Sequence, residues 1–305
     1  MDVRCCRRRR AVHWASIVAL CAGAPTGGAV PATFAANNMP QQQEIFAESD
    51  AYERFMGRWS RRLAPPFVEF ASVDERDSVL DIGSGTGALA FALAEAIPSV
   101  RVTGVDPSSG YVRYAQARTP GDRVRFLVGD AQALQMPDAT FDKTLSLLVM
   151  NFIPDPVKAL REMIRVTRPG GAVAAAVWDY GEGMEMLRVF WDEAVALDPT
   201  IAARDERNMP LCRRGELAAL WHANGLQQVE ERPIAIELSF ASFDDYWRPF
   251  LGGQGPAGAH AASLSRARRD ALEARLRSRL LSERQDGPFT LRARAWAVKG
   301  VVPAR

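Results

Sequence analysis

The run Asp81-Ile82-Gly83-Ser84-Gly85-Thr86-Gly87 constrains this chain more than any other stretch, because strand-like spacing precedes it and helical spacing follows it. Val79, Leu80 and Ile82 read as a short buried strand, and Leu89, Ala90, Phe91, Leu93 and Ala94 recur along one helix face. Three glycines at alternate positions let the backbone approach a ligand closely, and the start of the helix offers unpaired N–H groups in a partial positive field. A nucleotide-like ligand is expected there. The competing reading is a tight turn with no ligand.

Gly83, Gly85 and Ala88 also satisfy the dinucleotide pattern in which alanine replaces the last glycine. Asp81 separates the alternatives: a carboxylate facing the crevice repels a pyrophosphate and suits a ligand that carries an ammonium and a sulfonium. Val100, Val102 and Val105 form a second apolar run ending in Asp106, at roughly the spacing from the glycines where an acid can hold ribose hydroxyls. Val124, Phe126 and Val128 lead to Gly129-Asp130-Ala131. Each of the three strands thus finishes at or just before an aspartate. The simpler roles for Asp106-Pro107-Ser108 and for Asp130-Ala131 are helix or turn caps.

These motifs, in this order, resemble the class I S-adenosylmethionine-dependent methyltransferases, and within them the type 11 or quinone-biosynthesis-like branch. The likeness covers roughly residues 50 to 180. Gly104-Val105-Asp106-Pro107-Ser108, Leu134 to Pro137 with Phe141-Asp142, Asp155-Pro156 with Ala159-Leu160-Arg161-Glu162, and Arg168-Pro169-Gly170-Gly171 carry it alongside the glycine motif. The resemblance implies S-adenosyl-L-methionine as cofactor, its methionine part cradled by Gly83, Ser84, Gly85 and Gly87 beside Asp81. It further implies that Asp106, next to Pro107, binds both ribose hydroxyls, that Asp130 and Ala131 meet the adenine, and that Leu147 and Leu148 face the methyl-transfer site. The implied fold is an α/β, Rossmann-like doubly wound sheet of seven strands, mostly parallel with the last reversed, and helices on both faces. Alternating strand and helix patterns point the same way.

The 305 residues can bury a substantial core. Arg4 and Arg7 to Arg10 against Asp2 give the first 38 residues a balance of +4, so the remainder carries −2, which gives no support for nucleic-acid binding. Cys5, Cys6, Cys21 and Cys212, with His13, His222 and His260 scattered, offer no metal-ligand spacing. Residues 1–38 resemble a secretion signal in charge and apolarity, but Pro25 spoils the cleavage point and the apolar run is shorter than the ~20 residues that span a bilayer. The preferred reading is a mispredicted start or unstructured tail before Met39, a cytoplasmic protein with no stable membrane insertion, and one methyltransferase domain over 39–305.

A helical cap is expected over about 45–70, where Tyr52 and Arg58 could meet the cofactor carboxylate and Phe55, Trp59 and Leu63 form an apolar stripe. An insertion over about 240–287 carries Phe243, Tyr246, Trp247 and Phe250. It either closes over an acceptor or docks on the core. Trp59, Asn151, Tyr246 and Trp247 are the candidate substrate contacts. Arginines around the Leu272, Leu276 and Leu280 stripe are expected to form a solvated face rather than a grip for an anionic partner.

Transfer of a methyl group from a sulfonium needs orientation and electrostatics rather than a protein nucleophile. Asn151 stands where relatives often have histidine and cannot accept a proton at neutral pH. That favours a small-molecule acceptor that is already nucleophilic, with Asp179 and Tyr180 as weak alternative bases. The rival functions are an NAD(P)-dependent oxidoreductase and a non-catalytic S-adenosylmethionine-binding protein.

Overall fold

A computed structural model describes residues 49–119 and 121–304 of the chain. The expectations for residues 1–38 and for the start of the cap therefore lie outside the described residues. The cap is helical from residue 49, passes through a π-helical turn at Glu53–Gly57 and continues as α1 (Arg58–Ala71). Its inner face, which includes Leu63, Phe67 and Phe70, is fully buried, as the apolar stripe requires.

The rest alternates as expected: β1 (Ser78–Ile82), α2 (Ala88–Ala96), β2 (Arg101–Asp106), α3 (Ser109–Ala117), β3 (Val124–Val128), β4 (Phe141–Leu147), α4 (Pro156–Val166) and β5 (Thr167–Trp178). Then come α5 (Glu185–Leu197), α6 (Glu216–Ala223), β6 (Gln227–Phe240), α7 (Phe243–Trp247), α8 (Gly255–Ser263), α9 (Arg266–Leu281) and β7 (Phe289–Val301). The strands form one sheet in the order β3-β2-β1-β4-β5-β7-β6. β7 runs antiparallel to both β5 and β6, which makes it the reversed strand. The described chain is a Rossmann-like α/β fold.

This order places the site. The chain winds outward from β1 to β3, then returns to lay β4 on the other side of β1, so the loops after β1 and β4 diverge above a crevice at their carboxyl ends. Asp81 pairs in register with Gly104 on one side and Leu145 on the other, which fixes it in the middle of the sheet at that crevice. β5 begins earlier than the apolar run 172–177 suggests, because Thr167 pairs with Phe141 before a register shift carries the chain past Gly170 and Gly171.

The insertion between β6 and β7 folds into α7, α8 and α9, and its aromatic segment docks. Phe250 stacks on Phe190 of α5 with ring centroids 4.6 Å apart, and the Tyr246 hydroxyl donates to the Met186 carbonyl at 3.0 Å. The arginines of α9 are largely spoken for: Arg275 and Arg279 pair with Glu193 of α5, and Arg277 pairs with Asp286. The face remains solvent-exposed, as expected, with Arg266 and Arg268 the most open and Arg275, Arg277 and Arg279 tied down by surface ion pairs. No helix among the described residues is long and apolar enough to cross a membrane.

Candidate functional site

At the carboxyl end of β1 the chain turns sharply through the glycine loop. Gly83 has φ +68°, and a Cβ there would overlap the Val149 side chain, so only glycine lets the loops after β1 and β4 meet. Gly85 has φ +52° and, in contrast, nothing nearer than 4.0 Å to an added Cβ, so its face is open. The Gly83 and Ser84 amides donate to the Val105 carbonyl at 2.8 and 3.1 Å, tying the loop to the end of β2.

Asp106 completes the tie. Its two carboxylate oxygens accept from the amides of Gly85 at 2.9 Å and Ser108 at 2.8 Å. Burial raises its pKa, and the two amide donors hold it down. Each oxygen keeps a lone pair for a further donor. The cap at α3 is supplied by Ser108, whose hydroxyl accepts from the Tyr111 amide at 3.3 Å, so Asp106 is free of the capping role.

Asp81 is 1% exposed, and its Oδ2 has no partner among the described residues. Burial first, and the nearby charge of Asp106 second, push its carboxyl up to about 8. The Ser84 hydroxyl is likewise buried and unpartnered. Both groups line one small cavity with Tyr52 and Ser60 of the cap, Gly83 to Thr86 of the loop, and Leu147 to Val149 after β4. Leu148 there holds φ +67°, a conformation that non-glycine residues adopt at a cost of order 1–3 kcal/mol. Buried polar atoms without partners mark a place that a ligand can satisfy.

The cavity is small, about 50 Å³, well below the roughly 300 Å³ at which small-molecule sites begin. The cap is closed onto the cradle. The Thr86 hydroxyl donates to Glu53, the Tyr114 hydroxyl donates to Asp50 at 3.2 Å, and the rings of Tyr52 and Tyr111 lie 5.5 Å apart. Admission of a nucleoside requires these contacts to part.

The structure brings Asp81, Gly83, Ser84, Gly85, Leu147 and Tyr52 around this cavity, with Gly87 at the end of the loop and Asp106 joined to it through the Gly85 amide; Pro107 is exposed and outside the lining. Other expected residues stand elsewhere. Asp130 is exposed; it accepts from the Gln132 amide at 2.8 Å, and the Gly129 amide before it donates to the Asp106 carbonyl at 3.1 Å, so it lies beside the end of β2 with lone pairs to spare. Arg58 donates from Nη1 to Asp245 at 2.7 Å and lines a separate cavity. Trp59 is buried against Phe240, while Tyr246 and Trp247 are 1% and 2% exposed in the insertion core. Their role is docking, because large aromatics stabilise most when fully covered. Asn151 is buried; its amide nitrogen reaches Met209 Sδ at 3.4 Å and its Oδ1 is unpartnered. Asp179 accepts from Arg294 Nε at 2.9 Å and is committed to that pair. Burial raises the Tyr180 hydroxyl well above its ordinary pKa, which makes it a poor base. His222 lies exposed in the last turn of α6.

Glu53, Ser60 and Thr86 were not singled out from the sequence. Thr86 sits inside the glycine motif, but Glu53 has no linear signal: its carboxylate fills the space beside Gly57 one helical turn on.

A family model described as a methyltransferase domain matches residues 80–175, the stretch from β1 into β5. A malonyl-[acyl-carrier protein] O-methyltransferase of Geobacter sulfurreducens is 30% identical over 185 residues, covering 60% of this chain and 67% of that protein. The chain belongs to the class I S-adenosylmethionine-dependent methyltransferases. A demethylmenaquinone methyltransferase of Renibacterium salmoninarum is 32% identical over 50% of this chain and 60% of its own length. A 2-methyl-6-phytyl-1,4-hydroquinone methyltransferase of Synechocystis is 34% identical over 39% of this chain and 37% of its own. This methyltransferase chain spans about half the length of such relatives. The YcgJ protein of Bacillus subtilis shares the fold with a TM-score of 0.51 at 22% identity, over 80% of this chain and 99% of that one. The methyl donor of the family fits the site in donor set: a glycine cradle, a bridging carboxylate at the end of β2, and a buried acid without a cation.

Proposed function

We propose that the chain transfers a methyl group from S-adenosylmethionine to a small-molecule acceptor by in-line displacement. The observation that carries this reading is Asp81. A carboxyl pushed to about 8 by burial, with an open Oδ2 beside the glycine cradle, gains from a neighbouring positive charge and loses from a pyrophosphate.

When bound, the cofactor supplies an electrophilic methyl on a sulfonium. The chain's part is to hold and orient. The Gly83 to Gly87 loop brackets the amino-acid part, Asp106 takes the ribose hydroxyls on its free lone pairs, and Leu147 to Val149 form an apolar wall that keeps water from the transfer site. Positioning of this kind is worth ~7 kcal/mol or more. Asp179 is held by Arg294 and Tyr180 retains its proton, so neither serves as a base. An acceptor that is already nucleophilic, such as a carbanion-like ring carbon or an amine, suits the site.

The test is thermal unfolding with ligand panels. S-adenosylhomocysteine at 100 times its dissociation constant stabilises the folded state by ~2.7 kcal/mol, whereas NAD(H) and NADP(H) leave the transition unmoved. A strong shift with a nicotinamide cofactor would overturn the proposal. Release of S-adenosylhomocysteine in a broad acceptor screen is the expected sign of turnover, and sustained silence points to a non-catalytic binder.

A further inference from the structure

Beside the cradle lies a second, much larger cavity of about 690 Å³, within the range of small-molecule sites. Its walls come from the cap, at Ala51, Glu53, Arg54, Arg58 and Arg61, and from the insertion, at Asp244, Asp245, Arg248, Pro249 and Gly252. It shares no lining residue with the cradle. Glu53 is the partition: it bonds Arg61 on the arginine side and accepts from Thr86 on the cradle side. Tyr52 and Ser60 face the cradle while Arg54, Arg58 and Arg61 face the larger space, so one cap presents a face to each.

The charges in this cavity are incompletely matched. Asp245 takes Arg58, Asp244 takes Arg248 at 2.8 Å, and Glu53 takes Arg61, which leaves Arg54 with no carboxylate among the described residues. Arg58 makes its one hydrogen bond through Nη1, with its guanidinium lying over the Trp59 ring at 4.1 Å and the Phe240 ring at 5.0 Å. Its Nε and Nη2, the edge that can grip a carboxylate or phosphate with two parallel bonds, are buried and unpartnered. Unmet buried donors cost stability that an anion would return. The insertion, which lacks a role at the cradle, supplies half of the lining.

Resting on the methyl-transfer reading above, we propose that this cavity holds an oxoanion group, a carboxylate or phosphate, of the methyl acceptor. The acceptor is then an anionic small molecule, anchored by Arg54, Arg58 and Arg248, with its reacting end directed past Glu53 to the cradle. Specificity lies in the cap and insertion, outside the stretch matched by the family model.

Full-length protein is titrated calorimetrically with inorganic phosphate, with malonate, and with chloride at matched ionic strength, in the presence of saturating S-adenosylhomocysteine. The expected result is saturable binding of phosphate or malonate, weakened about tenfold or more in Arg58→Gln, as the loss of one bidentate pair implies. Arg54→Gln weakens it several-fold and leaves the S-adenosylhomocysteine affinity unchanged. Preference for phosphate assigns a phosphate ester, and preference for malonate a carboxylate. Absence of saturable binding, equal competition by chloride, or anion affinity unaltered in Arg54→Gln overturns the proposal. Arg54 carries no ion pair among the described residues, so that variant decides even if Arg58→Gln is unfolded. Failure of wild-type protein to bind S-adenosylhomocysteine is read first, in the same cell, and counts against the methyl-transfer reading instead.

Discussion

Asp106→Ala is expected to abolish measurable binding of S-adenosylhomocysteine, weakening it by at least about 100-fold. The carboxylate is asked to do two jobs at once. It accepts from the amides of Gly85 and Ser108, and so holds the glycine loop to the start of α3; under the proposed function it also offers its remaining lone pairs to the ribose. Hydrogen bonds to a charged group are worth about 1.5–3 kcal/mol each, and every 1.4 kcal/mol is tenfold in affinity. Loss of two ribose contacts alone therefore reaches the stated size, before any loosening of the loop. Asp106→Asn retains one acceptor and should fall between wild type and alanine. Calorimetric titration checks both, and wild-type affinity in the alanine variant would remove Asp106 from the site.

Asp81→Asn should separate binding from stability in opposite directions. A buried acid whose pKa rises on folding binds a proton more tightly in the folded than in the unfolded state. Stability therefore falls as pH climbs from the ordinary carboxyl value of 3.8 toward about 8, and the loss is complete above that. The asparagine variant lacks the slope. At pH 9 without ligand it should be the more stable protein by about 2–5 kcal/mol, on 1.36 kcal/mol per pKa unit with allowance for relaxation. At pH 4 the two should nearly coincide. Glu206, raised by burial to about 7, adds a slope of the same sign in both proteins and cancels from the difference, whereas Asp106, whose charge repels Asp81, contributes to it in the same direction. The same variant should bind S-adenosylhomocysteine more weakly, since the ammonium loses its carboxylate. Denaturant unfolding at the two pH values measures the first effect; equal stability at pH 9 would contradict the account of Asp81.

The fold was legible from local patterns because each of the first three strands is a short apolar run closed by glycine or aspartate. The reversed last strand followed from the likeness to a known family, whereas its place between β5 and β6 came from the structure. Around the cradle, Asp81, Gly83 to Gly87 and Asp106 were legible because ligand and backbone geometry both act on consecutive residues. Glu53 and the arginine cavity were not, since they arise where the cap meets a segment almost two hundred residues later. Trp59, Tyr246 and Trp247 were misread for a related reason. An aromatic cluster in sequence looks the same whether it faces an acceptor or packs on Phe190 and Phe240, and only the tertiary contacts decide.

The most direct measurement is a crystal structure of the chain with S-adenosylhomocysteine. The account predicts the ribose hydroxyls within ~3 Å of the Asp106 oxygens, the amino-acid ammonium facing Asp81 across the glycine loop, and Tyr52 and Ser60 drawn back from their present closed positions. A ligand bound elsewhere, with Asp81 and Asp106 untouched and the cap still shut, would contradict it.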